Sequence, residues 1–156
     1  MNEQALFDDL LVSAPNGGGL FALRAGVAQH LDGLSSTGLA LRGDTLARAL
    51  QPADWVVYGP EDASTSVAVG VHCADIHDVL WMEDGFLMVS TDHNEVVHVD
   101  SELRPVQRWA FPGELDSMHI NCLARWGDEV VFSAFGMFSE RRAYKGARAG
   151  AGFVRA

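Results

Sequence analysis

The sequence predicts an all-β fold, because a strand–turn–strand unit recurs along the chain. Residues 76–91 form the clearest copy, in which a short strand that opens on polar residues is followed by a Glu-Asp-Gly turn and a second, apolar strand. A second copy lies at 119–134, 43 residues later, and a weaker one at 37–46. A period near 40 residues with this core is typical of a β-propeller blade. We therefore predict a β-propeller-like domain of about three to four four-stranded blades, that is, a partial or half propeller.

The first half of the chain divides into strands separated by turn residues. Seven strands are predicted before the clearest copy: residues 9–14, 20–23, 27–31, 36–41, 46–50, 55–58 and 66–72. The Gly run at 17–19 suits a hairpin turn, because glycine accepts positive φ. Residues 46–50 also have a helix-forming composition, but their place in the repeat favours a strand.

The second half contains one full unit and the start of another. After the two strands of 76–91, further strands are predicted at 95–100 and 106–109, and the 119–134 pair follows. Beyond it the periodicity fades until 153–154. A domain that stops inside a blade leaves open sheet edges. We therefore expect residues 1–156 to be one domain that is incomplete at its C-terminus. The chain is then a fragment, or it assembles with copies of itself, or it forms an open stack.

The charge balance limits the classes of partner. Lys and Arg number 11 against 21 Asp and Glu, so the net charge is −10, which disfavours nucleic acid and anionic membranes. Five of the positive residues fall in a Gly/Ala-rich tail that is interpreted as a solvated loop: Arg141, Arg142, Lys145, Arg148 and Arg155. No apolar run of about 18 residues occurs, and the N-terminus does not resemble a signal peptide. We expect a cytoplasmic protein.

Large aromatic side chains suit the packing of one blade against the next. Trp55, Trp81, Trp109 and Trp126 are therefore predicted to lie in the core. Cys73 and Cys122 have apolar neighbours and no spacing typical of a disulfide or metal site, so both are predicted to be reduced and buried.

Polar residues open the first strand of each unit, where a propeller has its channel mouth. They are Asp75, His77 and Asp78 in one unit and His119 and Asn121 in the next, with Thr37 in the weak copy. The 43-residue alignment places Asp78 on Asn121. We predict that His77, Asp78, His119 and Asn121 bind a small polar ligand.

Two other interpretations of these residues stay open. Asp78 and His77 have donor atoms suited to a divalent cation such as Ca²⁺, Mn²⁺ or Zn²⁺. Alternatively, the side chains only bond backbone groups of strands and loops. No residue is assigned a catalytic role.

Four short segments carry a family resemblance. Ser13-x-x-Asn16-Gly17-Gly18-Gly19-Leu20-Phe21, Ser36-Thr37-Gly38-Leu39-Ala40, Ile76-His77-Asp78-Val79-x-Trp81 and His119-x-Asn121-x-Leu123-Ala124 occur in this order. Together they resemble the N-terminal half of an uncharacterised bacterial family of conserved hypothetical proteins that look like six-bladed β-propellers. The resemblance implies a propeller and a second half, and it brings no reaction with it.

Three functions follow as expectations. The first is a binding module for a small polar ligand. The second is a metal-dependent hydrolase or lactonase-like enzyme, in which a carboxylate or imidazole serves as base. The third is a scaffold that binds other proteins. Self-association of the chain is expected in each case, because its sheet edges are open.

Overall fold

The computed structural model describes residues 9–51, 55–60, 65–68 and 73–156. These residues form strands and one short 3₁₀ turn, with no α-helix among them, so the predicted all-β class is confirmed. Within the described ranges, no helix has the length and apolar character needed to cross a membrane. The strands are β1 (Asp9–Ala14), β2 (Gly19–Arg24), β3 (Val27–Asp32), β4 (Ser36–Arg42), β5 (Thr45–Leu50), β6 (Trp55–Pro60), β7 (Thr65–Ala68), β8 (Ile76–Met82), β9 (Gly85–Ser90), β10 (Glu95–Asp100), β11 (Pro105–Ala110), β12 (Ile120–Trp126), β13 (Glu129–Ala134) and β14 (Phe153–Arg155), and the 3₁₀ turn is Ala143–Gly146.

The strands form four antiparallel sheets in chain order. In the described residues the first sheet is β1–β2–β3, the second β4 to β7, the third β8 to β11 and the fourth β12–β13–β14. Two sheets therefore have the four strands that were predicted, and two have three. The segment 46–50 is a strand, as its place in the repeat predicted. Residues 69–72, which were predicted to extend the seventh strand, lie outside the described residues.

Neighbouring sheets meet through their first two strands. The first strands β4, β8 and β12 contact one another in order, while β5 contacts β8 and β9 contacts β12. In the same way β1 contacts β4. The Ser13 hydroxyl donates to the carbonyl of Thr37, which joins β1 to β4. Thus β1 takes the place in its sheet that β5 and β9 take in theirs.

The structural repeat between the third and fourth sheets is one residue longer than predicted. β8 begins at Ile76 and β12 at Ile120, 44 residues later, and their pairings to the next strand match at that offset. The 43-residue alignment is therefore wrong by one position, and His77, not Asp78, corresponds to Asn121. Because side chains alternate between faces, this slip exchanges every residue between the two faces of the strand.

The third sheet is buried on both faces. One face packs on the second sheet through Val79, Phe86 and Met88, and the other packs on the fourth sheet through Leu87 and Val89. All six residues of β9 are buried as a result. A strand covered on both faces reads as a continuous apolar run, which explains the Phe-Leu-Met-Val sequence.

Two core predictions were wrong in part. Trp81 packs against the core between the second and third sheets, but Trp109 and Trp126 have 46% and 76% of their surface exposed. Cys73 is buried as predicted, whereas Cys122 is exposed. These exposed side chains lie on an outer strand, β11, and on the fourth sheet, where no further sheet of the described residues covers them.

Candidate functional site

The site is built from two equivalent positions in the third and fourth sheets. Asp75 and His119 each precede a first strand, and His77 and Asn121 are each its second residue. In both strands the pairing with the next strand shifts at this point, which marks a β-bulge. A bulge redirects the side chains of the residues within it. Here it brings the four side chains together at one end of the sheets.

His77 lies between two oxygen acceptors. Its Nδ1 donates to Oδ1 of Asn121 at 2.9 Å, and its Nε2 lies 3.3 Å from Oδ2 of Asp75. A neutral imidazole carries only one N–H, so only the protonated ring satisfies both acceptors. The geometry therefore favours an imidazolium paired with a carboxylate.

The pKa shifts agree with this ion pair. Burial lowers the pKa of His77, but the hydrogen bonds to Asp75 and Asn121 outweigh that effect and raise the pKa above its ordinary value. The hydrogen bond from His77 lowers the pKa of Asp75. Gln51 holds the other carboxylate oxygen of Asp75 through a 2.7 Å bond from Nε2.

His119 meets His77 edge to face. The ring centroids are 4.8 Å apart and the planes are at 82°. Nδ1 of His119 donates to Oδ1 of Asp116 at 2.7 Å, which leaves Nε2 as the ring atom suited to a ligand. Each imidazole is thus oriented by its own carboxylate.

Asp116 has no exposed side-chain surface and three partners. Besides His119, its Oδ2 accepts from Nε of Arg142 at 2.6 Å and from the hydroxyl of Tyr144 at 3.1 Å. Burial raises the pKa of Asp116, but the bonds from His119 and Arg142 outweigh it and hold the pKa below its usual range. Burial, followed by the charge of Asp116, raises the pKa of Tyr144 to about 12. At neutral pH Asp116 is therefore an anion and Tyr144 a neutral donor.

An aromatic wall stands beside His119. Phe135 and Tyr144 lie with their ring centroids 4.6 Å and 4.5 Å from the His119 ring. The side chains of His77 and His119 keep 16% and 15% of their surface exposed, so a small molecule can reach them from solvent. The site therefore consists of two imidazole rings with aromatic side chains on one side.

Backbone strain is concentrated in this cluster. In the described part of the chain eight non-glycine residues have positive φ, and four of them are Asp75 (53°), Asp116 (51°), His119 (49°) and Arg142 (57°). Such conformations cost free energy and are maintained by the surrounding hydrogen bonds. Their concentration at functional sites in other proteins makes this cluster the first candidate in the molecule.

Asp78 has a different placement from the other predicted site residues. Its Oδ1 accepts from its neighbour Val79 N–H at 3.0 Å, and its Oδ2 accepts from Leu123 N–H at 2.7 Å. The carboxylate thereby joins β8 to β12 through the backbone. Burial raises the pKa of Asp78, although these two bonds act in the opposite direction. The structure thus brings His77, His119 and Asn121 together and ties Asp78 to strand backbone.

The residues do not fit the predicted divalent cation. Among the described residues, no group of three or more His, Cys, Asp and Glu side chains has an arrangement suited to a metal ion. Both nitrogens of His77 face hydrogen-bond acceptors, and a protonated ring cannot coordinate a metal. The hydrogen bonds of Asp78 and His77 therefore do not support the predicted metal site at these two residues.

Sequence reasoning missed the side chains that surround His119. Asp116 lies in the loop before β12, while Arg142 and Tyr144 lie in the segment without periodicity after β13. The prediction of a solvated basic tail is wrong for Arg142, which binds the buried carboxylate of Asp116. No spacing signals this contact, because it joins two irregular segments in space.

A comparison with known proteins finds no matching family model and no matching curated protein. The resemblance to an uncharacterised bacterial propeller family stays a prediction from the sequence.

Proposed function

We propose that this chain is a β-propeller-type protein that binds a small polar ligand at the mouth formed by Asp75, His77, His119 and Asn121. The sheets would be blades, and the first strands β4, β8 and β12 would line the channel. Their contacts in chain order support this arrangement, as do the matching bulges at the start of each first strand.

One observation carries the ligand-binding proposal. The two repeat positions that open β8 and β12 supply a pair of imidazoles in edge contact, each oriented by its own carboxylate. Three residues of this cluster, Asp75, Asp116 and His119, have positive φ. A merely structural role for polar residues at strand ends does not require strained backbone. Preorganised polar groups that keep partial solvent access are typical of a small-molecule site.

The groups at the mouth favour a ligand with several hydrogen-bonding atoms. His77 contributes a positive ring, Asn121 an amide, and His119 its Nε2, while Phe135 and Tyr144 offer an apolar side. The positive charges of His77 and Arg142 are balanced by Asp75 and Asp116. A neutral polar ligand or one with a single charge therefore suits the mouth better than a polyanion. A hydrolase that depends on a metal ion is less favoured, since His77 and Asp78 are already held by hydrogen bonds and no metal-binding group of side chains occurs in the part of the chain that the structure describes.

The test is a ligand screen with a matched control. Neutral sugars, amino acids and small carboxylic acids are screened against the wild-type chain by ligand-observed NMR, and each hit is titrated into H77A, H119A and H98A. His98 is the control because it also pairs with a carboxylate, Asp84 at 3.1 Å, but lies at the opposite end of the sheet. We expect binding to be lost in H77A and H119A and kept in H98A. Hits that bind both site variants as tightly as wild type, or no binding by any class, would contradict the proposal.

A further inference from the structure

The outer face of the fourth sheet is apolar, and no other sheet in the described part of the chain covers it. Ala124 pairs with Val131 across β12 and β13, and Val154 pairs with Ser133 across β13 and β14, so these side chains lie on one face. Trp126, on the same face of β12, is 76% exposed, and Val154 is 66% exposed. The opposite face of this sheet is buried against the third sheet through Leu123, Val130 and Phe132.

The outer face of the fourth sheet is equivalent, in the structural repeat, to a buried face of the third sheet. At the 44-residue offset, Trp126 corresponds to Met82 and Val131 to Leu87. Met82 and Leu87 pack against the fourth sheet, and Leu87 is only 5% exposed. The equivalent face of the third sheet is therefore covered by the next sheet in the series.

The first sheet also has an apolar face that no other sheet of the described residues covers, and it corresponds to the opposite face of the third sheet. β1 takes the place of β9, and each is joined to the following strand by a four-residue turn, so Leu10 corresponds to Phe86 and Val12 to Met88. Phe86 and Met88 are fully buried against the preceding sheet. Leu10 and Val12 are 37% and 45% exposed. Their face also carries Phe21 and Leu23, their cross-strand partners.

We propose that a second copy of this chain docks the outer face of its first sheet on the outer face of the fourth sheet, head to tail. The two faces are equivalent to the two halves of the contact that joins the third sheet to its neighbours, except that the first sheet has no counterpart of the first strand β8 among the described residues. One chain supplies both halves, whereas an unrelated partner would have to match the same pleat and spacing independently. The interaction is independent of the ligand site, which lies at the mouth and not on these faces.

The geometry and charge of the contact have two consequences. Each copy uses different surfaces to bind its two neighbours, so the contact is heterologous and leads to a ring or a longer stack. Each chain carries a net charge of −10, so copies repel one another at low ionic strength. Salt screens this repulsion, and self-association should therefore strengthen as salt is added.

The experiment measures mass in solution for complementary variants. Wild type, W126E and V12E are compared by sedimentation over a range of concentrations, alone and as a mixture of the two variants. A charge at the centre of an apolar contact should weaken self-association by about tenfold or more. We expect wild type to exceed the 16.9 kDa of one chain. Each variant alone should be monomeric, because every contact it can make contains the substituted residue. The mixture should form a one-to-one complex, since it contains one intact pair of faces.

V106E is the matched control for W126E and V12E. V106E places the same charge at a 55% exposed position on β11, outside both faces, and should associate as wild type does. Circular dichroism and thermal unfolding verify that each variant is folded. If W126E does not fold, Trp126→Ser is used in its place. A wild-type monomer at every concentration, self-association of W126E alone, or a mixture that forms no complex would overturn the proposal.

Discussion

Nδ1 of His77 donates a 2.9 Å hydrogen bond to Oδ1 of Asn121, and the two residues hold the same position in consecutive sheets. The bond therefore joins neighbouring first strands at the end where the candidate site lies. It also fixes the His77 ring so that its other nitrogen faces Asp75. The second position of the first strand is thus a histidine in the third sheet and an asparagine in the fourth, and the two side chains bind each other.

The pH dependence of stability should report the His77 ion pair. Because the pKa of His77 is raised on folding, its stabilising contribution is complete below the unfolded-state value near 6.5 and is lost as pH rises through the folded-state pKa. The difference in free energy of unfolding between wild type and H77Q should then be larger at about pH 5.5 than at about pH 8.5. Urea unfolding at both pH values measures it, with H98Q as the control. An equal difference at both pH values would show that the pKa of His77 is not raised.

The titration of Tyr144 should depend on Asp116. The chain has two tyrosines, so Y58F isolates the phenol of Tyr144. In this background the pKa should be about 12, and D116N should bring it toward the ordinary value of 10.0, since the nearby negative charge is gone while burial remains. Ultraviolet absorbance of the phenolate as pH is raised measures the shift. Identical titration curves would show that Asp116 does not act on Tyr144.

Removing the Asp78 carboxylate should weaken the link between β8 and β12. D78A leaves the backbone N–H of Leu123 without its 2.7 Å acceptor. We expect a loss of about 1–3 kcal/mol in the free energy of unfolding, the usual cost of an unpaired buried donor. D78N keeps one acceptor oxygen and should lose less. D84A, in a turn where the side chain is 72% exposed, should change stability by less than about 0.5 kcal/mol. A D78A variant as stable as D84A would contradict the strand-linking role of Asp78.

Gly38 should tolerate no side chain. A Cβ at this position would lie 2.4 Å from Cα of Asp78 and 2.6 Å from the backbone nitrogen of Val79, so the second and third sheets would have to move apart. We expect G38A to destabilise the fold by about 1–3 kcal/mol. G33A is the matched control, because a Cβ there meets no atom within 4 Å. Thermal unfolding distinguishes the two, and equal midpoints would show that the sheets do not approach as closely as the structure indicates.

Much of the fold was predictable because strand alternation is a local signal. The segment 46–50 illustrates this, since its composition suits a helix while its place between two turns and two apolar strands favours β5. The alignment of one repeat with the next was harder to predict from the sequence. Asp78 and Asn121 are chemically alike, which favoured a 43-residue alignment, whereas the strand pairings align His77 with Asn121.

The candidate site divides in the same way. His77, His119 and Asn121 were identifiable, because polar residues that open otherwise apolar strands stand out in the sequence. Asp116, Arg142 and Tyr144 were not, because they lie in irregular segments that have no period.

By itself the sequence determined that this chain forms a series of short antiparallel strands, and which polar residues begin them, since both follow from the pattern of neighbouring side chains. Only the tertiary structure decided that the Asp78 carboxylate is bound by strand backbone while Arg142 reaches a buried Asp116. The physical reason is that each of these contacts joins residues distant in the chain, and its existence depends on how closely two sheets or two loops approach in space.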